Sequence, residues 1–168
     1  AVFVGNPDRN RGIIEALEAS DIACAAFTPE GEPTIDIVDR CVSLIRETRA
    51  ELVIACGGGS ALDLAKAAAI LAVHTGETLD YVEVIGRGRA LTEPSLPVIA
   101  VPTTAGTGSE VTANAVVTSP EARLKISLRS PYMQPRAAIV DPSLTLTLPK
   151  QATVFSGMDA LTQVIEPY

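Results

Sequence analysis

The stretch ELVIACGGGSALDLAK, residues 51–66, decides the fold. Its beginning, ELVIAC, is typical of a buried strand, three glycines follow, and SALDLAK begins a pattern typical of a helix. Glycine loses more conformational entropy on folding than any other residue and adds no side chain to a core. Three glycines between a strand and a helix therefore indicate a loop in which bare backbone is required.

The same order of strand and helix extends on both sides of this stretch. Strands are predicted at 1–5, 22–27, 51–56, 96–102 and in RAAIVDPSLT (136–145), where the strand ends at Asp141-Pro142. Helices are predicted at 9–20, 34–49, 60–75 and 149–168, a connecting stretch at 79–95, and a hairpin with the turn SPEAR at 114–128. Apolar strands that alternate with helices predict an α/β fold with a Rossmann-like parallel sheet covered on both faces.

The composition favours a small molecule as partner. The 168 residues are 47% hydrophobic, which is enough for one compact domain with its own core. The net charge is −7 and no basic stripe is present, so we expect no nucleic acid and no anionic membrane surface as partner. No stretch approaches the roughly 18 apolar residues that a spanning helix needs. We therefore predict a soluble, cytoplasmic protein.

The cysteines and the single histidine are predicted to be structural. Cys24, Cys41 and Cys56 are odd in number, widely spaced and in apolar surroundings, which favours reduced thiols over disulfides or a metal site. His74 lies at the end of a predicted helix, where we expect it to interact with the helix dipole or with solvent. Because no other histidine can act as a base for a serine, hydrolase chemistry is disfavoured.

The glycine loop at 57–59 has two interpretations. A strand that leads through glycines directly into a helix aims unpaired N–H groups, and the positive end of the helix dipole, into a space that suits a phosphate. The alternative is ordinary helix initiation, with Ser60 as N-cap and Asp63 completing a capping box. The string matches neither GxGxxG nor the P-loop pattern. We favour the phosphate, because loops at this edge of parallel sheets often bind one.

A second loop, TTAGTGSEVT at 103–112, follows the next buried strand and is rich in hydroxyl side chains and glycines. In a parallel sheet with right-handed crossovers, this loop and the glycine loop lie at the same edge. Together they can grip one extended ligand. The alternative is a small-residue loop that packs tightly against a neighbouring element.

Four motifs in a fixed order connect the sequence to a known family: GGGSALDLAK (57–66), VPTTAGTGSEVT (101–112), AIVDPSLT (138–145) and GMDALTQVIEPY (157–168). With these motifs the sequence resembles the iron-containing, or group III, alcohol dehydrogenases. The resemblance implies a dinucleotide-binding domain at 1–148, truncated at its N-terminus, and at 149–168 the first helix of an all-helical metal-binding domain. We accordingly expect the chain to be a piece of a longer protein.

The resemblance also implies which residues contact NAD or NADP. Pyrophosphate contacts fall on Gly58, Gly59 and Ser60, and contacts along the nucleotide on Thr103 and Thr104. Contacts near the nicotinamide fall on Thr112 and Asn114, and further cofactor contacts on Lys125 of the hairpin and on Leu144 after the Asp-Pro turn. Without the resemblance, Lys125 would be an ordinary solvated charge.

The choice between NAD and NADP stays open. The family often selects NAD with an acidic residue at the end of the strand that here is AVFVG, because a carboxylate binds the ribose 2′-OH and repels a 2′-phosphate. This sequence has Asn6 there, with Asp8 two residues later. A neutral asparagine leaves NADP acceptable.

Asp159 and Gln163 are the candidate metal ligands. They are four residues apart on a predicted helix, so their side chains share one face. The resemblance implies a divalent metal, Fe²⁺ or Zn²⁺, bound by an aspartate and by a histidine at the second position. An amide oxygen is a weaker ligand than imidazole for such a metal. Three alternatives follow. The first is a working site with Gln163 as a weak ligand or as a donor to metal-bound water. The second is an enzyme without a tightly bound metal, and the third is loss of both the site and the activity.

The resemblance predicts an NAD(P)-dependent oxidoreductase that transfers a hydride between the nicotinamide and a primary alcohol or aldehyde, with the metal polarising the substrate oxygen. Alternatives are a metal-independent reductase similar to the maleylacetate reductases, a dehydroquinate-synthase-like lyase, which TTAGTGSE fits poorly, and a noncatalytic nucleotide-binding protein. A homodimer is compatible with the resemblance. No side chain stands out as a general base, and we expect residues 1–168 alone to be inactive.

Overall fold

The computed structural model describes residues 1–166 and contains a five-stranded parallel sheet and a two-stranded hairpin. The strands are β1 (Val2–Gly5), β2 (Ala25–Phe27), β3 (Val53–Gly57), β4 (Val98–Pro102), β5 (Asn114–Ser119), β6 (Leu124–Arg129) and β7 (Ala137–Ala138). The helices are α1 (Arg11–Glu18), α2 (Ile35–Glu47), α3 (Gly59–Ala72), α4 (Thr78–Tyr81) and α5 (Lys150–Ile165). The parallel sheet has the strand order β2-β1-β3-β4-β7, and β5 pairs with β6 in antiparallel orientation.

The central strands β1, β3 and β4 of the parallel sheet are buried on both faces, as their continuous apolar runs predict, whereas the edge strands β2 and β7 are partly or fully exposed. Alternate residues of β1 point to opposite sides: Val2 and Val4 join a core with α2 and α3, whereas Phe3 joins a second core that α1 covers. In β3, Ile54 and Cys56 face the same side as Phe3. The α/β prediction of a parallel sheet between two helical layers is therefore confirmed.

Helix α3 passes across the larger core and is almost fully buried. Half of its buried residues are alanines, among them Ala65, Ala67, Ala68 and Ala69, all with 0% exposure. Small side chains let the helix axis approach the sheet closely. The N-terminus of α3, where the glycine loop lies, is thereby held at a fixed position at the carboxyl edge of β3.

The structure departs from the sequence-based expectation at two elements. Strand β7 contains only Ala137 and Ala138, and does not continue to Asp141. The Asp141 carboxylate accepts a hydrogen bond from the N–H of Ser143 at 2.9 Å and begins a 3-10 turn at Pro142–Thr145, which ends the extended conformation. The predicted connecting stretch begins within α4, a single helical turn with a capping box between Glu77 and Asp80.

His74 is buried, so the expected contact with solvent is wrong, while the expected contact with the end of its helix is confirmed. Its Nδ1 lies 2.8 Å from the carbonyl oxygen of Ile70, in the last turn of α3. Its Nε2 accepts hydrogen bonds from the backbone N–H groups of Thr92 and Glu93 at 3.0 and 3.2 Å. The ring therefore joins the end of α3 to the segment that leads into β4.

The three cysteines are free thiols, as predicted. Cys41 and Cys56 are buried and Cys24 is half-buried. Burial raises the pKa of Cys41 to about 12 and that of Cys56 to about 11. Across residues 1–166, no helix has the length and apolar character needed to cross a membrane.

Helix α5 forms where a helix is predicted at 149–168, although the last two residues lie outside the described part of the chain. None of its side chains, at residues 150–165, is buried. Large apolar side chains on it, such as Phe155 and Val164, are more than half exposed at 63% and 65%. Its position therefore depends on a small number of contacts with the loop at 103–112.

Candidate functional site

The glycine loop and the loop at 103–112 lie at one edge of the sheet and touch each other. Strands β3 and β4 are neighbours, and the N–H of Thr103 donates to the carbonyl oxygen of Gly57 at 2.9 Å. A Cβ atom on Gly58 would lie 3.2 Å from Cγ2 of Thr104, and one on Gly59 would lie 2.9 Å from Cγ2 of Thr107. The glycines are thus needed partly because the second loop packs directly on them.

The first turn of α3 has no side-chain cap among residues 1–166, so the predicted capping box is wrong. The helix begins at Gly59 with Gly58 as N-cap, two residues before the Ser60 N-cap of the capping-box interpretation. Ser60 is exposed, and Asp63 is the fifth residue of the helix, too far along it to reach the first N–H groups. Within residues 1–166 the first turn of α3 contains no acidic residue, so the positive end of the helix faces the space in front of the loop without a capping carboxylate.

That space is a cavity of about 1010 Å³. It is lined by nine of the predicted site residues: Gly58, Gly59, Ser60, Thr104, Thr112, Asn114, Lys125, Asp159 and Gln163. They come from the glycine loop, the second loop, the hairpin and α5, which the fold brings together from distant parts of the chain. The volume is at the upper end of the range for small-molecule sites.

The remaining two predicted residues, Thr103 and Leu144, line a second cavity of about 400 Å³. Gly58 and Ser60 line both cavities, so the two spaces meet at the start of α3. Leu144 also packs beside the smaller core that contains Phe3. An extended ligand with a phosphate-bearing middle and a ring at each end matches this arrangement.

Lys125 forms an ion pair at the rim of the larger cavity. Its Nζ lies 2.6 Å from Oε1 of Glu32, and both side chains are more than half exposed, at 60% and 55%. The hydrogen bond from Lys125 lowers the pKa of Glu32 below its usual value, and Thr118 adds a second bond to the same carboxylate at 3.3 Å. An exposed pair of this kind contributes little to stability, so Lys125 can exchange Glu32 for a ligand.

Helix α5 contacts the second loop at Gly106. A Cβ atom there would lie 2.7 Å from the carbonyl oxygen of Ser156, and the Gln163 amide nitrogen donates to the Gly106 carbonyl at 3.2 Å. This contact brings Asp159 to the wall of the larger cavity. Within the described residues no three His, Cys, Asp or Glu side chains form a metal-binding cluster. Asp159 and Gln163 both line this cavity, and two side chains are too few ligands to form a metal site alone.

Sequence reasoning missed Glu32, the partner of Lys125 at the cavity rim, and Lys66. The Lys66 side chain is only 1% exposed and forms an ion pair with Asp63 at 3.1 Å. The sequence does indicate an ion pair here, because Asp63 and Lys66 are three residues apart in a strongly apolar predicted helix. A lysine in such a helix either leaves a charge in the core or has a partner there.

A model of the family described as "Iron-containing alcohol dehydrogenase" matches residues 3–142 of the chain. The chain belongs to the iron-containing alcohol dehydrogenase family. The resemblance inferred from the four motifs is therefore confirmed, and the match covers both loops and the hairpin.

Individual relatives agree with this assignment. The chain is 40% identical over 155 residues to 4-hydroxybutyrate dehydrogenase of Cupriavidus necator, covering 92% of this chain and 40% of that protein. It is 46% identical over 137 residues to long-chain-alcohol dehydrogenase 1 of Geobacillus thermodenitrificans, covering 82% of this chain and 34% of that protein. The chain thus spans well under half the length of these relatives.

Solved structures show the same fold. The crystal structure of sulfoacetaldehyde reductase from Bifidobacterium kashiwanohense in complex with NAD⁺ superimposes with a TM-score of 0.89 at 39% identity. The alignment covers 99% of this chain and 45% of that structure. The Rossmann-like α/β arrangement of this chain is therefore that of the family's N-terminal part.

Proposed function

We propose that this chain is the cofactor-binding part of an NAD(P)-dependent alcohol dehydrogenase, which transfers a hydride between the nicotinamide and a primary alcohol or aldehyde. The observation that carries the proposal is the uncapped N-terminus of α3, which faces two adjoining cavities lined by small and hydroxyl-bearing residues. The family membership supports the activity. In this proposal residues 1–148 form the dinucleotide-binding domain and α5 begins the metal-binding domain.

The proposed pose follows from the shape of the site. The pyrophosphate binds at the first turn of α3, where Gly58 and Ser60 lie between the two cavities. The adenosine end then extends into the smaller cavity, beside Leu144, and the nicotinamide end into the larger one, beside Thr112 and Asn114. The larger cavity also contains Asp159, which puts the nicotinamide and the candidate metal ligands in the same space.

The proposed reaction needs a nicotinamide cofactor and a divalent metal. When bound, the nicotinamide supplies or accepts the hydride, and the metal polarises the substrate oxygen. The Asp159 carboxylate is the stronger of the two candidate ligands. The amide nitrogen of Gln163 is engaged with the Gly106 carbonyl, so its oxygen is the atom that can serve as a ligand. We therefore favour, among the three alternatives for the metal, a site in which Gln163 is a weak ligand.

Cofactor choice is the finer part of the proposal, and we infer that NADP is accepted as well as NAD. Arg9 is the one charged residue that lines the smaller cavity within residues 1–166. Asp8 is turned toward Arg11, at 3.7 Å in an exposed pair, and Asn6 is neutral. A 2′-phosphate in this cavity would thus lie near an arginine and near no carboxylate of its lining, which is the arrangement that accommodates NADP.

The test is calorimetric titration of the chain with NADH and with NADPH. We expect both to bind, and Arg9→Ala to weaken NADPH by about tenfold while changing NADH little. Arg11→Ala, two residues along the same segment, is the matched control and should change neither affinity. If neither cofactor binds, the proposed function is wrong. If NADH binds and NADPH does not, only the choice of cofactor is wrong.

Turnover separates the enzyme from a noncatalytic nucleotide-binding protein. In the longer protein that contains this chain, NADH or NADPH oxidation with small aldehydes should depend on added Fe²⁺ or Zn²⁺. Turnover that is insensitive to chelators would support the metal-independent reductase instead.

A cytoplasmic location belongs to the same proposal, because free thiols at all three cysteines fit a reducing compartment. A homodimer stays a prediction.

A further inference from the structure

An ion pair lies at the wall of the candidate cofactor site, where Asp63 lines the larger cavity and the buried Lys66 lies behind it. Lys66 and Asp63, three residues apart in α3, have Nζ and Oδ1 at 3.1 Å, with side-chain exposures of 1% and 16%. Burial lowers the pKa of Lys66, and the charge of Asp63 opposes this shift. Removing one member of such a pair leaves the other charge uncompensated in the core. The pair is too costly to bury unless its polar atoms have further partners.

Those partners belong to the connection between β4 and β5 and to the beginning of β5 itself. Lys66 Nζ donates to the carbonyl oxygen of Ser109 at 2.8 Å and to the hydroxyl of Thr112 at 3.1 Å. The Asp63 carboxylate accepts from the Ser109 hydroxyl at 2.5 Å and from the N–H of Val116 at 3.0 Å. The two charged groups thus fix the end of the second loop and the start of the hairpin on the helix that follows the glycine loop.

The part of the loop that contains Ser109 and Thr112 has little regular structure of its own. Between Pro102, where β4 ends, and Asn114, where β5 begins, the only regular element is a 3-10 turn at Ser109–Val111. Gly108, just before that turn, has φ 64, a conformation that glycine adopts without strain. Hydrogen bonds to charged groups are stronger than neutral ones, so the buried pair dominates the placement of Thr112.

We propose that Asp63 and Lys66 are positioning residues for the nicotinamide half of the cofactor, acting through Thr112 and Asn114. This inference rests on the proposed function and on the proposed pose. The pyrophosphate contacts are set by the start of α3 itself, which the sheet holds independently of the pair. Loss of the pair should therefore weaken binding of the nicotinamide half much more than binding of the adenosine diphosphate half.

The distinguishing measurement is the ratio of two dissociation constants, for NADH and for ADP, determined by calorimetry on the chain. ADP contains the adenosine and the pyrophosphate and lacks the nicotinamide riboside. In Ser109→Ala, which removes one bond to Asp63, and in Asp63→Asn, we expect NADH to bind about tenfold more weakly and ADP to change less than about twofold. A merely structural role would weaken both ligands by the same factor.

Control variants distinguish a positioning role from a general loss of stability. Arg40→Gln removes an exposed ion pair with Asp36 in α2 and should leave both constants unchanged. If Asp63→Asn fails to fold, Ser109→Ala decides, because it leaves both charges in place. An unchanged NADH to ADP ratio in Ser109→Ala and Asp63→Asn overturns the positioning role. If the unsubstituted chain binds neither ligand, the failure belongs to the proposed function.

Discussion

Substituting Gly106 by alanine should release α5 from the rest of the molecule. The added Cβ would lie 2.7 Å from the carbonyl oxygen of Ser156 and 2.9 Å from its Cα, so it would collide with backbone. The φ angle of Gly106 lies outside the region that disfavours other residues, so the cost comes from this contact alone. Overpacking of this kind costs about 1–3 kcal/mol.

The strain is relieved most easily by movement of α5. No side chain of α5 is buried, and the Gln163 bond to the Gly106 carbonyl is lost if the helix moves. Because 1.4 kcal/mol corresponds to a factor of ten, undocking of the helix should become about fivefold to a hundredfold more frequent. The sheet itself does not depend on this contact.

Hydrogen exchange followed by mass spectrometry measures this directly. In Gly106→Ala, amides in residues 150–165 should exchange faster, and amides in β3 and β4 should not change. Gly157→Ala is the matched control, since nothing lies within 4 Å of the added Cβ and alanine is the better helix former by about 1 kcal/mol. It should slow exchange in α5. Unchanged exchange of α5 in Gly106→Ala would refute the reasoning.

Two further predictions concern ionisable groups. The lowered pKa of Glu32 means that its interaction with Lys125 is complete above the usual carboxyl value of 4.5 and is lost as the pH falls through the folded pKa. A carbon-13 NMR titration should show the Glu32 midpoint rising in Lys125→Met, and an unmoved midpoint contradicts the assignment. Alkylation at pH 8 should modify Cys24 first, because Cys41 and Cys56 are buried and have pKa values raised to about 12 and 11. Equal labelling of all three thiols in the native protein contradicts this burial.

The layered sheet is predictable from sequence because strands and helices here follow strong periodic patterns. Continuous apolar runs mark β1, β3 and β4, and Thr34 caps α2 by accepting the N–H of Ile37 at 3.3 Å. Local sequence patterns predict side-chain hydrogen bonds less reliably where a residue distant in the sequence is the actual partner. The spacing of Ser60 and Asp63 is that of a capping box, yet Asp63 contacts the second loop, because Lys66 and Ser109 offer it a buried charge and a hydroxyl.

The sequence predicts which residues lie at the candidate site, but it does not predict which of their side chains contact each other. Motif order identifies the loops, and the parallel topology places them at one edge. The pairing of Lys125 with Glu32 depends on a contact between residues 93 positions apart, which no local pattern reveals. The same holds for His74, whose ring accepts two backbone N–H groups from a segment about 18 residues later. Such partners are set by the packing of whole elements.

The anchoring of the second loop by α3 restricts how this site can diversify. Side chains that face the cavities can be exchanged singly, since the backbone beneath them is fixed from behind. An insertion or deletion between Pro102 and Ser109 would instead shift the Ser109 and Thr112 oxygens away from Lys66, so that the buried ammonium group would keep its ion pair with Asp63 and lose these hydrogen bonds. Variation in substrate or cofactor preference should therefore accumulate by replacement of residues, with the length of this connection held constant.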